Sequence, residues 1–196
     1  ITAWNYFAEC LTKTSTVFKD NANIFGKVYF PRLIVPLSIV ISNLVKFGIQ
    51  FLIFVAFYIY FATQGMEVHF TTATLFFPLL VAVMGILGLG LGMIISSMVT
   101  KYRDLNNLVG FGVQLLMYVS AVMYPMELMR EKLPQLGWLI DYNPLAYVIE
   151  ASRYLLLDKG SVSGFGIVYT VLITVVVFLL GLVIFNRTEK SFIDTV

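Results

Sequence analysis

The sequence predicts an all-α fold, a polytopic membrane helical bundle forming one domain, and three observations carry that prediction. Apolar residues make up 59 % of the 196 and charged ones 12 %, with a mean hydropathy of +0.88. A soluble domain carries roughly twice that charged share. Four stretches, 34–62, 72–100, 105–124 and 165–186, are long and apolar enough to cross the hydrocarbon layer, which takes about 20 helical residues. The Lys and Arg residues, finally, gather in alternate connections, as cytoplasmic loops require.

The elements follow in order. Residues 1–20 read as helix, because Trp4, Phe7, Leu11 and Phe18 recur at helical spacing while Glu9 and Lys13 pair at i,i+4 on another face. This segment is expected to be the last part of a membrane helix whose beginning is missing, with an N-terminal portion absent ahead of Ile1. The connection 21–33 mixes aromatics with cations, and Lys13, Lys19, Lys27 and Arg32 all precede the span 34–62. The next turn has no Lys or Arg and carries Glu67 and His69. Lys101 and Arg103 follow the span 72–100, and Arg187 and Lys190 follow the last. With alternating spans these three basic positions share one side, which places the first loop, the Lys101 loop and the tail 187–196 in the cytoplasm.

The external connection 125–160 is too long for an ordinary loop. Two short helices are expected there. A charged turn, Glu127–Lys132, is closed by Pro134, and Asn143 and Pro144 then supply an N-cap and a first helical residue. A helix from Pro144 to Leu157 is about 20 Å long at 1.5 Å per residue, so it can only dip into the outer leaflet and return. Non-spanning backbone at that depth needs protein or a wet cavity beside it.

Few residues invite chemistry. Gly88, Gly92 and Ser96 form a small-xxx-small stripe, which suits close helix packing; a phosphate cradle would need a strand ahead of the glycines. Lys46 is the one formal charge deep in a span, about 15 Å along the helix from Pro36. It either pairs with a neighbouring helix, snorkels to the cytoplasm or faces an anionic substrate group. Tyr118, Tyr124, Trp138 and Tyr142 collect at the outer end, as an interfacial belt or as stacking platforms along a sugar path. His69 reads as a solvated boundary residue. The lone Cys10 excludes an internal disulfide framework and a multi-cysteine zinc site, and nothing resembles a nucleophile with its base. No metal site and no nucleic-acid partner is expected at a net charge of +2 without a basic tract.

The loop Lys27-Val28-Tyr29-Phe30-Pro31-Arg32 resembles that of the ABC-2 type permeases that export bacterial cell-surface polysaccharides. Lys101-Tyr102-Arg103-Asp104-Leu105, Tyr142-Asn143-Pro144 with Glu150 and Arg153, and the tail Glu189-Lys190-Ser191-Phe192 resemble the same family, in family order. The resemblance is to the exporters of O-antigen (lipopolysaccharide) and teichoic acid. It implies a six-span permease acting as a homodimer in the bacterial inner membrane, with two copies of a separate ATPase that binds ATP and Mg. This chain would then bind no cofactor and catalyse no covalent step. The resemblance further implies that 21–33 holds a coupling helix, with Phe25, Tyr29 and Phe30 as anchors, Lys27 and Arg32 as rim charges and Pro31 between them. Lys101, Tyr102, Arg103 and Asp104 would form the second cytoplasmic loop, and Asn143, Pro144, Glu150 and Arg153 the external gate. Lys46 and the outer aromatics would lie along the path of a lipid-linked glycan. Rival readings are a permease of the same superfamily for a drug, a lipid or another small hydrophobic substrate, a membrane-embedded transferase, and a passive channel.

Overall fold

The protein is described from a computed structural model, which covers residues 1–21, 31–65, 72–102, 104–132, 135, 137–158, 160 and 162–193. The described residues contain helix α1 (Thr2–Ser15), α2 (Val17–Asp20), α3 (Ile34–Thr63), a 3-10 turn (Thr72–Phe76) and α4 (Phe77–Lys101). These are followed by α5 (Leu105–Val119), α6 (Met126–Lys132), α7 (Gly137–Asp141), α8 (Pro144–Leu157) and α9 (Gly164–Ile193). Strands are absent among the described residues. The bundle is therefore all-α, and α3, the Ala73–Lys101 stretch and α9 are each long and apolar enough to cross a membrane.

α4 is the central helix. In its most apolar window 61 % of residues are buried, against 11 % for α3 and 17 % for α9. Glycines set this arrangement. A Cβ on Gly88 would come within 3.0 Å of the Phe7 carbonyl oxygen, so α1 lies backbone to backbone along that face. Gly90 points about 200° around the helix from Gly88, and a Cβ there would sit 2.9 Å from Phe178 Cα of α9. Gly181 of α9 is equally close-fitting, its Cβ position lying 2.6 Å from the Gly90 carbonyl oxygen. Lipid tails are as apolar as leucine, so hydrophobicity cannot drive helices together inside a bilayer; close van der Waals fit can. Gly92 faces Thr14 in the same seam as Gly88, and Ser96 is buried one turn further on.

α3 is joined to the bundle differently. Phe47 touches Tyr6 and Phe77 at centroid distances of 5.5 and 6.2 Å, and Phe51 stacks on Phe77 at 5.1 Å. Phe54 and Tyr58 continue the ladder along α3. Its remaining faces carry exposed Ile, Leu and Phe side chains.

Several boundaries differ from the sequence expectation. The span drawn over 105–124 stops as helix at Val119, and 15 residues reach only about 22 Å. The apolar run continues to Tyr124, but Ala121 adopts a left-handed φ of 52°, and Arg153 binds the carbonyls that follow the helix end. The connection 125–160 holds α7 as a third short helix among its described residues, where two were expected. α9 runs past residue 186 to Ile193, so most of the stretch assigned to a tail is continuous helix.

Candidate transport path and coupling loop

Polar residues cluster at three levels. Midway along α1 and α3, Glu9 Oε2 accepts from Lys13 Nζ and from Lys46 Nζ, each at 3.0 Å. Lys13 also donates to Asn43 Oδ1 at 3.3 Å, and the Asn43 amide reaches Cys10 Sγ at 3.9 Å. The two helices are antiparallel, so residue pairs whose numbers sum to about 55 meet. Lys46 therefore pairs with a neighbouring helix, yet its side chain keeps 52 % of its surface exposed. Reading the sequence alone pairs Glu9 with Lys13 but misses its meeting with Lys46, and it misses Asn43.

At the level expected to face the cytoplasm, both ends of the first loop are fastened to α9. Phe18, in α2 at the loop entry, stacks on Phe185 at 4.5 Å. At the loop exit, Arg32 donates to the Glu189 carbonyl oxygen at 3.1 Å. Arg32 was expected as a rim charge on a docking surface; it is instead 6 % exposed and holds the loop to α9 inside the subunit. Pro31 beside it is exposed. Phe25, Lys27, Tyr29 and Phe30 lie outside the described residues, as do Glu67, His69, Arg103 and Pro134. In the second loop Lys101 ends α4 with its ammonium 5.3 Å from the Tyr102 ring centroid, and Asp104 precedes α5; all three are exposed.

At the opposite end of the bundle a polar joint links the end of α5 to α8. Asn143 caps α8 by accepting from the Leu145 N–H at 3.0 Å, while its amide donates to Ser120 Oγ at 2.9 Å. Pro144 follows as the first helical residue, and its carbonyl accepts from Thr170 Oγ1 of α9 at 3.0 Å. Arg153 donates to Glu150 Oε2 at 2.7 Å and to the carbonyls of Ala121 and Val122 at 3.3 Å each. Glu150 is 3 % exposed, so its charge is compensated from within the subunit. The left-handed Gly160 has no room for a Cβ because the Glu150 carboxylate occupies that space. The residues expected to form an external gate thus bind one another in a closed structural network.

The outer aromatics stand apart from that joint. Tyr118, Trp138 and Tyr142 are exposed, whereas the Tyr124 hydroxyl donates to the Tyr118 carbonyl. Trp138 and Tyr142 flank a shallow pocket with Gly137 and the Arg130–Asp141 ion pair. Tyr147 donates to the Asp141 carbonyl at 3.1 Å, and burial, reinforced by the Asp141 charge, holds its phenol above the usual range and so protonated. The aromatic and charged levels are separate. Lys46 lies deep in α3, and the structure does not bring it to Tyr118, Tyr124, Trp138 or Tyr142.

These features coincide with known sequences. Residues 1–157 match the family model described as ABC-2 type transporter. The chain is 30 % identical over 97 % of its length to an O-antigen export system permease protein RfbA of Klebsiella pneumoniae, covering 71 % of that protein. A second protein of that name and organism is 29 % identical over the same shares. The polysialic acid transport protein KpsM of Escherichia coli is 24 % identical over 84 % of this chain and 62 % of its own. A bundle of apolar helices seamed by glycines, with its first loop clamped at both ends, fits the membrane portion of a transporter, and the chain belongs to the ABC-2 type transporter family.

Proposed function

We propose that this chain is the transmembrane permease of an exporter that moves a lipid-linked cell-surface polysaccharide outward across the bacterial inner membrane. The observation that carries this reading is similarity to O-antigen export permeases along 97 % of the chain. The chain works as a homodimer with two copies of an ATPase, which supplies ATP hydrolysis; its own residues move cargo and form no covalent bond with it. The C-terminus and both basic loops face the cytoplasm, where the ATPase resides.

The loop anchorage supports a transmission route. A thrust on residues 21–33 acts at both ends on α9, through Phe18 on Phe185 and through Arg32 on the Glu189 carbonyl. α9 is seamed to α4 through Gly90 and Gly181, so α4 and α9 move as one rigid body. At the far end Thr170 of α9 holds α8, whose Asn143 and Arg153 grip the end of α5. The outer gate thus receives motion begun at the loop.

Depletion of the protein in its native cell tests the reading. Lipid-linked glycan is expected to accumulate on the cytoplasmic side while the surface polysaccharide falls. A cell that keeps its surface glycan and accumulates no precursor would remove polysaccharide as the cargo and favour a smaller hydrophobic substrate.

A further inference from the structure

We infer that Lys13, Glu9 and Lys46 form a mid-membrane station for the phosphate group of the lipid-linked cargo, an assignment that rests on the export reading above. Depth is the first ground. Lys46 is twelve residues into α3, about 18 Å from the helix start in a hydrocarbon core of about 30 Å. Charge is the second. Two ammonium groups share one carboxylate, so the cluster carries a surplus positive charge.

Exposure is the third ground. The side chains of Lys13, Glu9 and Lys46 keep 46, 39 and 52 % of their surface open. Each ammonium has three donors. Lys46 gives one to Glu9, and Lys13 gives one each to Glu9 and Asn43, which leaves donors on both lysines for an outside acceptor. Asn43 is itself buried, at 3 % exposure, and fixes the site from behind.

Lipid tails cannot satisfy open ammonium groups, and intramembrane charges face the protein interior or water. A dry two-fold contact with a second copy would set four lysines against two glutamates, which like-charge repulsion disfavours. An anion in a wet path would take up those donors and offset the surplus positive charge. Phosphate fits it, since lysine ammonium binds phosphate as a point charge while the shared Glu9 keeps the hold weak enough for release. The phosphate can belong to a polyprenyl pyrophosphate carrier or to an ordinary phospholipid headgroup; we assign it to the carrier.

The test uses the intact transporter, permease with its ATPase, in nanodiscs of neutral phosphatidylcholine titrated with polyprenyl pyrophosphate. Lys46→Gln is expected to weaken binding about tenfold, the scale of one charge-assisted hydrogen bond. Lys46→Arg should retain it. Glu9→Gln should tighten it, because both lysines lose their internal counter-charge while the glutamine oxygen still accepts. A purely structural cluster would respond to Glu9→Gln and Lys46→Gln in the same direction, or to neither, and either result overturns the station. Doping the discs with phosphatidylglycerol should displace the probe poorly; displacement on equal terms would overturn the assignment to the carrier. A transporter that exports glycan normally but binds the probe no differently as Lys46→Gln sinks the station alone. Glycan export that continues without this protein sinks the underlying reading instead.

Discussion

The two sides of this bundle are built on different physics. α1, α4 and α9 are joined by glycines that bring backbones into contact, with Gly88 against Phe7 and Gly90 against Phe178. α3 reaches the same bundle through rings spaced 5 to 6 Å apart and a charged pair, and leaves most of its surface open. A glycine seam has no slack, because neither backbone can move aside for another atom. A ladder of rings can slide by changing its offsets. The contrast sets a close-packed body of α1, α4 and α9 against an α3 held by rings and charges, and the proposed export mechanism assigns transmission of force to the former.

The largest expected effect breaks the stiff seam. Gly90→Leu should abolish the folded protein, because a side chain there meets α9 backbone at its first carbon. Thermal unfolding in detergent would read it: overpacking costs about 1–3 kcal/mol where side chains can shift, and more is expected here because the new Cβ would lie 2.9 Å from Phe178 backbone, which cannot. Next comes the outer joint. Arg153→Met leaves Glu150 buried without its partner, and about 3–5 kcal/mol of stability should be lost. Adding Glu150→Gln should recover part of that loss; no recovery would mean that the carbonyl contacts of Arg153 dominate. Asn143→Ala should cost about 1 kcal/mol as a lost N-cap, with some addition from the orphaned Ser120 hydroxyl. The smallest effect sharpens the contrast from the loose side. Gly48→Ala in α3 meets nothing within 4 Å and should leave stability unchanged or raise it by up to about 1 kcal/mol through helix propensity.

Much of this architecture was legible in the chain. Hydropathy marks the long helices because the solvent they face is apolar on every side. The spacing of Gly88, Gly92 and Ser96 marks a close approach, and Asn143-Pro144 marks a helix start, since both signals are local. What escaped depends on partners distant in sequence. The end of α5 at Val119 is imposed by Arg153, 32 residues beyond Ala121, and no residue near it announces a stop. Gly90 and Gly181 gain meaning only once α9 lies against α4. Arg32 looks like a surface cation in a basic loop, and only its bond to Glu189 in the last helix explains its burial. The pairing of Glu9 with Lys46 required the relative rotation of two helices, which periodicity leaves open.

The force path is meaningful only if the basic loops share a compartment with ATP and the short helices face the other side. Single thiols placed by Lys101→Cys and by Tyr142→Cys measure this directly, since both positions are exposed and the native Cys10 is fully buried. In intact cells a membrane-impermeant maleimide should label position 142 and spare position 101 until the inner membrane is permeabilised. Labelling of position 101 from outside, with 142 protected, would contradict the orientation and the ATP-driven export built on it.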